Sequence, residues 1–388
     1  MWLLLFLFFI TTFIIGWFFF GYFILIWCIG LLRKKKDPEI PSALPVISLV
    51  VPCLNEEKQI IAKLDNVRAL SYPRELLEVV FVDGGSSDRT VESLSAALKE
   101  GEPYRIVKYP SSGKISQLNY ILPQLKGEII VNTDVDALLS ADALMWIAAE
   151  FSSGEDILVV GAYSMPVDTI IEIERYYWSS QNKGRLLETD AMSSSIVVAP
   201  CYAFRKALLG AFPEDVVADD IYVAFLAHAR GGRVIYSRKA TATETRGPKG
   251  YEEFLPHKFR KSNAFLRESL RFLYLLPEMN LFCKMMFIAR VSQQLILPWA
   301  LLFWFMLAGA LLTMFRFDMV IFALILLLGL FAITSNIFSS IKLIDGRQRQ
   351  SIFVAINGYF LTLFIMLATG LSYPFFKQGS NYARIKDD

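Results

Sequence analysis

The chain has 388 residues, 54% of them hydrophobic, and a formal net charge of +2. The nearly balanced charge argues against a nucleic acid as the main partner, and the hydrophobic share exceeds that of ordinary soluble domains. Because the apolar excess lies at the two ends of the chain, the composition predicts a membrane protein with a soluble middle.

The N-terminal segment contains no charged residue from Trp2 to Leu32. Its length suits one membrane-spanning helix, which needs about 20 apolar residues, and is too short for two. The basic run "RKKK" follows the apolar stretch, whereas a cleaved signal peptide has its basic residues first. Positive residues tend to stay on the cytoplasmic side. Residues 1–36 are therefore predicted to be an uncleaved anchor with a cytoplasmic domain after it.

The middle of the chain alternates apolar, strand-like runs with helical patterns. The strand-like runs are "VISLVVP", "LLEVVFVD", "YRIVKYP" and "GEIIVNTD". Strands that are apolar throughout and alternate with helices predict an α/β domain, with a mostly parallel sheet covered on both faces, over residues 37–250. In such sheets the ligand binds outside the carboxyl ends of the strands. The polar residues after each strand are therefore the candidate site.

These strand-end residues are mainly acids and amides, with one lysine. They are Pro52, Asn55 and Glu56 after the first strand, Asp83 after the second, Lys114 after the third, and Asp134 and Asp136 after the fourth. Each has an ordinary explanation by itself, such as a turn or the capping of the next helix. Their order and shared placement instead favour one site for a nucleotide, its phosphates and a metal ion.

The motifs "VPCLNEE", "VDGGSSD", "GKISQLN" and "TDVD" resemble those of family 2 glycosyltransferases, which bind a nucleotide sugar in a Rossmann-like GT-A domain. The resemblance extends over residues 46–261. The flanking apolar segments resemble the membrane branch, with cellulose, hyaluronan and poly-N-acetylglucosamine synthases and lipid-acting enzymes.

The resemblance implies a donor site for a UDP-sugar or, alternatively, a GDP-sugar. Asp83 would contact the nucleobase, Lys114 the diphosphate, and Asp134 the donor sugar or ribose. Asp136 would hold Mg²⁺ or Mn²⁺, a hard cation that one or two carboxylates can retain beside substrate phosphates. Pro52, Asn55 and Glu56 would belong to the same donor site.

The acceptor half contains "ADD", which matches a T-E-D motif of the same branch with Asp219 in the Glu position and Asp220 as the general base. The alternative is that both acids only stabilise a helix N-terminus. A single base suffices because a metal-bound nucleoside diphosphate is already a stable leaving group, so inversion by single displacement is expected. By the same resemblance, Cys201 lies on an acceptor-side strand.

A later segment, "HKFRK", occupies the place of Q-x-x-R-W in the polymer synthases. His257 stands for Gln, Arg260 matches Arg and Lys261 stands for Trp. A guanidinium suits phosphate oxygens, so Arg260 is assigned to the donor diphosphate, and His257 and Lys261 are assigned to the acceptor side. The absent Trp argues against processive polymer synthesis.

The C-terminal third begins with a basic, amphipathic segment at residues 251–284, a composition typical of interfacial helices. Residues 285–388 are predicted to hold three further spans, at 285–315, 319–341 and 352–376, with Arg290 able to snorkel from the first of them. The loop with Lys342, Arg347 and Arg349 would be cytoplasmic, in agreement with "RKKK". The cations of the tail would then lie outside.

Together these features predict a metal-dependent, inverting glycosyltransferase of the cell membrane with a cytoplasmic catalytic domain. The acceptor would be lipid-linked or a glycan, membrane lipids would be partners, and a homo-oligomer is left open. One alternative is a processive polysaccharide synthase that also secretes its polymer. Another is a non-catalytic GT-A-like membrane scaffold, against which the joint presence of the motif residues argues.

Overall fold

The computed structural model describes residues 1–33, 37–109, 113–167, 171–343 and 352–376. Several cations used above to predict the orientation lie outside these described residues: Lys34, Lys35, Lys36, Arg347, Arg349, Lys377, Arg384 and Lys386. The orientation in the membrane therefore stays a prediction.

The strands of the described residues form one sheet of eight. They are β1 (Ile47–Cys53), β2 (Leu77–Asp83), β3 (Tyr104–Lys108), β4 (Ile129–Thr133), β5 (Ala137–Leu139), β6 (Ile157–Pro166), β7 (Cys201–Arg205) and β8 (Arg233–Glu244).

The helices lie on both faces of this sheet and at both ends of the chain. They are α1 (Trp2–Gly16), α2 (Tyr22–Leu32), α3 (Ile60–Arg68), α4 (Thr90–Ala97), α5 (Lys114–Ile121), α6 (Ala143–Ser152), α7 (Glu172–Ala191), α8 (Asp219–Ala229), α9 (Tyr251–Arg271), α10 (Leu281–Leu295), α11 (Leu297–Thr313), α12 (Phe317–Ser340) and α13 (Ile352–Ser372). A π-helical turn (Trp17–Gly21) joins α1 to α2, and short 3₁₀ turns occupy Arg74–Leu76, Leu122–Gln124, Lys206–Leu208 and Leu273–Glu278.

The sheet has the order β3-β2-β1-β4-β7-β6-β8-β5. Strands β1 to β4 pair in parallel, β7 runs antiparallel to both β4 and β6, and β8 is parallel to β6. The predicted mostly parallel, Rossmann-like sheet is confirmed. Its central strands are buried on both faces, as Leu49, Val50 and Val51 show. The two reversals around β7 bring the carboxyl end of β8 to the same edge as those of β1, β2 and β4.

Two helical segments of the described residues are long and apolar enough to cross a membrane, namely Trp2–Leu32 and Phe317–Ser340. A third candidate is the pair α10 and α11, which meet at 55°. The sequence predicted one continuous span here. Pro298 accounts for the difference, because its ring nitrogen cannot donate the amide hydrogen bond that would continue α10 through Ile296. The predicted fourth span coincides with α13.

Helix α9 starts at Tyr251, where the interfacial segment was predicted to begin. It does not lie on an open surface, because it packs against α8, α10 and α13. Phe254 and Leu266 are buried, and so is Lys258, which pairs with Glu174 of α7 at 2.6 Å. Helix α9 therefore forms a wall between the sheet domain and the C-terminal helices.

A buried ion pair joins the domain to the apolar helices at both ends of the chain. Glu188 of α7 accepts hydrogen bonds from Arg290 Nε of α10 at 2.6 Å and from the Tyr22 hydroxyl of α2 at 2.7 Å. Gln293 of α10 donates to the carbonyl of Phe18 at 2.7 Å. The sequence allowed Arg290 to snorkel, but in the structure its guanidinium pairs with the buried Glu188 carboxylate, which a cation stabilises.

Candidate active site

A cavity of about 380 Å³ opens at the carboxyl edge of the sheet. Its walls come from the segments after β1, β4 and β8, from the start of α8, and from α7, α9, α10 and α13. The cavity therefore reaches from the strand ends, where the sequence placed a donor site, to the helices of the C-terminal third.

Lys114 lines this cavity from the first position of α5. Its Nζ is 2.8 Å from Asp134 Oδ1 and 3.0 Å from Asp219 Oδ2. Burial by itself would lower the pKa of this lysine, but the two carboxylates outweigh that effect and raise it. Lys114 is thus a fixed positive charge that links the predicted donor-side and acceptor-side acids.

Asp219 and Asp220 are neighbours in sequence but have different surroundings. Asp219 is 6% exposed, and its Oδ2 accepts hydrogen bonds from the Tyr202 hydroxyl at 2.6 Å and from Asn132 at 3.4 Å, in addition to the Lys114 ion pair. These contacts hold the Asp219 side chain in place beside Lys114.

Asp220 lines the cavity and accepts one hydrogen bond in the described contacts, from the amide of Ile221 at 2.9 Å. Burial in the cavity wall and the negative charge of Asp219 raise its pKa to about 7, although Lys114 acts in the opposite direction. A carboxylate with that pKa can take up a proton near neutral pH, which is the property required of a general base.

Asp134 and Asp136 do not cap a helix, because the next element is strand β5 and helix α6 starts only at Ala143. Asp136 lines the cavity with its side chain 20% exposed, and its Oδ2 lies 3.7 Å from Arg246 Nε. Burial and the neighbouring acids, Asp134 first among them, raise its pKa to about 7. A carboxylate in such surroundings gains stability from a nearby cation.

The described residues contain no group of three or more His, Cys, Asp or Glu side chains arranged to hold a metal ion. A hard cation nevertheless needs only one or two carboxylates when substrate phosphates supply other oxygen ligands. Asp136 offers such oxygens inside the cavity, while Asp134 is already paired with Lys114. The donor set therefore fits Mg²⁺ or Mn²⁺ bound together with a diphosphate.

The remaining predicted donor residues divide into two groups. Pro52 and Glu56 line the cavity, and Glu56 forms an ion pair with Arg246 at 2.5 Å. Asn55 and Asp83 belong instead to the adjoining loops. Asn55 Oδ1 accepts from the Ser87 amide at 2.8 Å, and Asp83 accepts from the Gly85 amide at 3.0 Å. Asn55 connects the loops after β1 and β2, whereas Asp83, the last residue of β2, binds the loop that follows its own strand. A nucleobase contact by Asp83 stays a prediction.

The predicted residues of α9 all line the cavity: His257, Arg260 and Lys261. Burial, together with the nearby cations, lowers the pKa of His257 and keeps its ring neutral. Cys201 was assigned to the acceptor side, but it is fully buried at the start of β7, opposite Thr133. It packs in a hydrophobic cluster of the sheet domain, and burial raises the pKa of its thiol to about 12. Its position removes it from the acceptor side.

Helix α7 contributes cavity residues that the sequence analysis missed. Trp178 and Arg185 both line the cavity, and Lys261 Nζ lies 5.3 Å from the centroid of the Trp178 ring. An aromatic surface is thus present beside position 261, although it comes from another helix. The signal available in the sequence was the row of Tyr177, Gln181 and Arg185, spaced four residues apart on one helical face.

Two further cations near the site were also missed. Arg246 follows the carboxyl end of β8, so the strand-end rule that found the other residues would have found it too. Lys63 of α3 is fully buried, and its Nζ donates to Thr133 Oγ1 at 2.8 Å and to the carbonyl of Ala137. Lys63 therefore supports both ends of the loop that carries Asp134 and Asp136.

Comparison with known families gives one match to a family model, "Glycosyl transferase family 2", over residues 48–211. The chain is 31% identical to the beta-monoglucosyldiacylglycerol synthase of Nostoc sp. (strain PCC 7120 / SAG 25.82 / UTEX 2576) over 158 residues, which is 40% of this chain and 32% of that protein. It is 27% identical to the poly-beta-1,6-N-acetyl-D-glucosamine synthase of Staphylococcus aureus (strain COL) over 215 residues, which is 53% of this chain and 51% of that protein. The matched regions thus span between about a third and a half of these relatives.

Among solved structures, the mannosyltransferase PcManGT from Pyrobaculum calidifontis, in complex with GDP-Man and Mn²⁺, has a TM-score of 0.69 to this chain. The two are 23% identical, and the superposition covers 94% of this chain and 98% of the other. At this identity the likeness concerns the fold. It includes the helices at both ends of the chain as well as the GT-A sheet.

Proposed function

We propose that the chain, which matches the family 2 glycosyltransferase model over residues 48–211, transfers a sugar from a nucleotide-sugar donor to an acceptor at a membrane surface. The observation that carries this proposal is the arrangement of Lys114, Asp134, Asp136 and Asp220 around one cavity that reaches the C-terminal helices. We further propose the cell membrane as the location, with the catalytic domain on the cytoplasmic side.

In this proposal the donor diphosphate lies among the cations at the strand ends. Lys114 has three N–H donors, so it can bind phosphate oxygens while it still contacts an aspartate. Arg260 and Arg246 add planar guanidinium groups that suit phosphate oxygens. Asp136 would hold Mg²⁺ or Mn²⁺, which offsets the negative charge that develops on the departing diphosphate.

Asp220 acts as the general base of the transfer. It takes the proton from the acceptor hydroxyl while that oxygen forms a bond to the anomeric carbon. The bond between the anomeric carbon and the phosphate oxygen breaks, and its electron pair leaves with the nucleoside diphosphate. A single displacement of this kind inverts the anomeric configuration. Asp219 holds Lys114 beside the reacting groups.

The acceptor is proposed to be lipid-linked. The wall of the cavity opposite the strand ends consists of side chains from α10 and α13, among them Gln294, Thr362 and Met366. A molecule anchored in a bilayer could reach Asp220 from this side. The similarity to a synthase named for a glucosyldiacylglycerol product supports the same class of acceptor.

Processive polysaccharide synthesis is the second candidate. It is supported by the similarity to a poly-beta-1,6-N-acetyl-D-glucosamine synthase. The donor is a UDP-sugar in either case, or a GDP-sugar like the one bound to PcManGT.

The decisive experiment incubates the purified chain in phospholipid vesicles with Mg²⁺ or Mn²⁺ and a panel of radiolabelled UDP- and GDP-sugars. Release of nucleoside diphosphate identifies the donor. A labelled product that extracts into organic solvent indicates a lipid acceptor, whereas high-mass, glycanase-sensitive material indicates a polymer. If no donor is cleaved and none binds, the chain is not a glycosyltransferase and the scaffold alternative stands.

A further inference from the structure

An apolar groove of about 240 Å³ lies between α9 and α13, next to the catalytic cavity. Its lining consists of Leu255, Pro256 and Phe259 from α9 and of Phe364, Ile365 and Ala368 from α13. The side chain of Phe364 is 56% exposed, so the groove opens to the outside of the helices. Six apolar residues and no polar one therefore surround a space that adjoins a strongly polar site.

Helix α9 lies between the cavity and the groove and contributes one face to each. At about 100° per residue, His257 and Lys261 share one face and line the cavity, whereas Leu255 and Phe259 share the opposite face and line the groove. The same helix thus presents cations to the donor site and hydrocarbon to the groove.

Helix α13 also contributes one face to the cavity and the opposite face to the groove, and one of its residues lines both spaces. Thr362 and Met366 line the cavity, and Phe364 and Ala368 line the groove. Ile365 lines both spaces, so at this point the thickness of one side chain separates them. A molecule that passes between α9 and α13 beside Ile365 would have one end in each space.

We propose that the groove holds a hydrocarbon chain of the lipid acceptor while the hydroxyl-bearing headgroup lies in the cavity near Asp220. The inference rests on the proposed glycosyltransferase function and specifies its acceptor. Apolar side chains favour a hydrocarbon chain by the hydrophobic effect, and the polar cavity beyond Ile365 receives the part of the lipid that needs hydrogen bonds.

The lining of the groove disfavours the other acceptor class. A glycan chain carries hydroxyl groups that must keep hydrogen-bond partners when they leave water. The six side chains of the groove supply none. A growing polysaccharide would therefore have to leave the cavity by another route, whereas an acyl or prenyl chain fits the groove directly.

The test uses photolabelling in phosphatidylcholine vesicles that contain a diacylglycerol with a diazirine in one acyl chain, in the presence of UDP and Mn²⁺. We expect label in the peptides that contain Leu255–Phe259 and Phe364–Ala368. The substitution Ala368→Phe fills the groove and should reduce this label about tenfold or more, since an overfilled apolar site excludes its ligand. Ala332→Phe, at an exposed alanine of α12, is the matched control and should leave the label unchanged.

Three results would overturn the proposal: no enrichment of label in the groove peptides over α12, full labelling of the Ala368→Phe variant, or equal labelling by a phosphatidylcholine that carries the same diazirine. The last result would mean that the groove holds a bystander membrane lipid. Labelling does not require turnover, so this failure is distinct from failure of the proposed function, which appears as absent cleavage of every nucleotide sugar by the unsubstituted chain.

Discussion

At the scale of single residues, two adjacent aspartates of the site differ in the hydrogen-bond donors that surround them. Asp219 accepts hydrogen bonds from Tyr202 and Asn132 and pairs with Lys114, whereas Asp220 faces the cavity with one amide donor in the described contacts. The first arrangement fixes the position of a carboxylate, and the second leaves a carboxylate whose pKa is raised to about 7. The order "DD" in the sequence does not distinguish them, because the three donors to Asp219 come from distant positions.

Replacement of Asp220 tests its role as the base. We expect Asp220→Asn to lower kcat by about 10² to 10⁴, the usual contribution of general base catalysis, with little change in donor affinity. Steady-state turnover and a separate binding titration of the donor would measure the two effects. Asp215→Asn is the matched control, because Asp215 is an exposed acid paired with Arg271 at 2.6 Å. Full activity of the Asp220 variant would exclude this residue as the base.

The pH dependence follows from the pKa of Asp220, which is raised to about 7. The base works only when ionised, so log(kcat/KM) should fall with a slope of about 1 as the pH drops below about 7. Asp136 has a similar pKa, but a metal ion would compete with its proton. If Asp220 is the titrating group, the acidic limb of the log(kcat/KM) profile should therefore stay at the same pH as the Mg²⁺ concentration rises. A limb that moves to lower pH would assign the titration to the metal ligand.

At the scale of elements, the sequence predicted the strands and the edge of the sheet where the site lies. Apolar runs and the polar residues behind them are local patterns, so Lys114, Asp134 and Asp136 could be found from the chain alone, whereas Asp220 was assigned only through its resemblance to a family motif. Trp178 reaches the same cavity through α7, whose placement depends on tertiary packing, whereas Arg246 follows a strand end and could have been found by the same rule. The bend between α10 and α11 was missed because hydropathy measures apolar length, while Pro298 determines where the hydrogen bonding is interrupted.

The close packing of α13 on α10 gives an element-scale test. A Cβ at Gly370 would lie 2.2 Å from the carbonyl oxygen of Gln294 and 2.6 Å from Pro298 Cγ. Gly370→Ala should therefore separate the helices and lower the unfolding midpoint in detergent, at a cost of roughly 1–3 kcal/mol. Gly329→Ala in α12 is the control, since a Cβ there meets no atom within 4 Å. Equal midpoints for both variants would show that this contact does not hold α13.

At the scale of the whole molecule, the sheet domain and the apolar helices are joined by buried contacts. The Arg290–Glu188 pair, with side chains 15% and 0% exposed, joins α10 to α7, and Tyr22 brings α2 to the same carboxylate. Glu188 also accepts hydrogen bonds from the amide and hydroxyl of Ser195, a residue of the cavity wall. The position of this part of the cavity wall therefore depends on how α2, α7 and α10 pack together.

A double-mutant cycle would measure this coupling. Arg290→Met leaves Glu188 as a buried, unpaired charge, which typically costs about 3–5 kcal/mol. Glu188→Gln removes the charge, so the double variant should be more stable than Arg290→Met alone. Unfolding midpoints of the three variants and the parent chain give the interaction energy. If the two substitutions change the free energy of unfolding additively, the interaction energy between Arg290 and Glu188 is zero.

The helical wall of the cavity also changes how the reaction would be measured. Where α10 and α13 admit the acceptor, its effective concentration is a mole fraction within the bilayer and not an amount per litre of solution. The donor reaches the strand ends from water and keeps an ordinary volume concentration. Addition of inert phospholipid at constant total acceptor should then slow the reaction through surface dilution, while the KM for the nucleotide sugar stays the same.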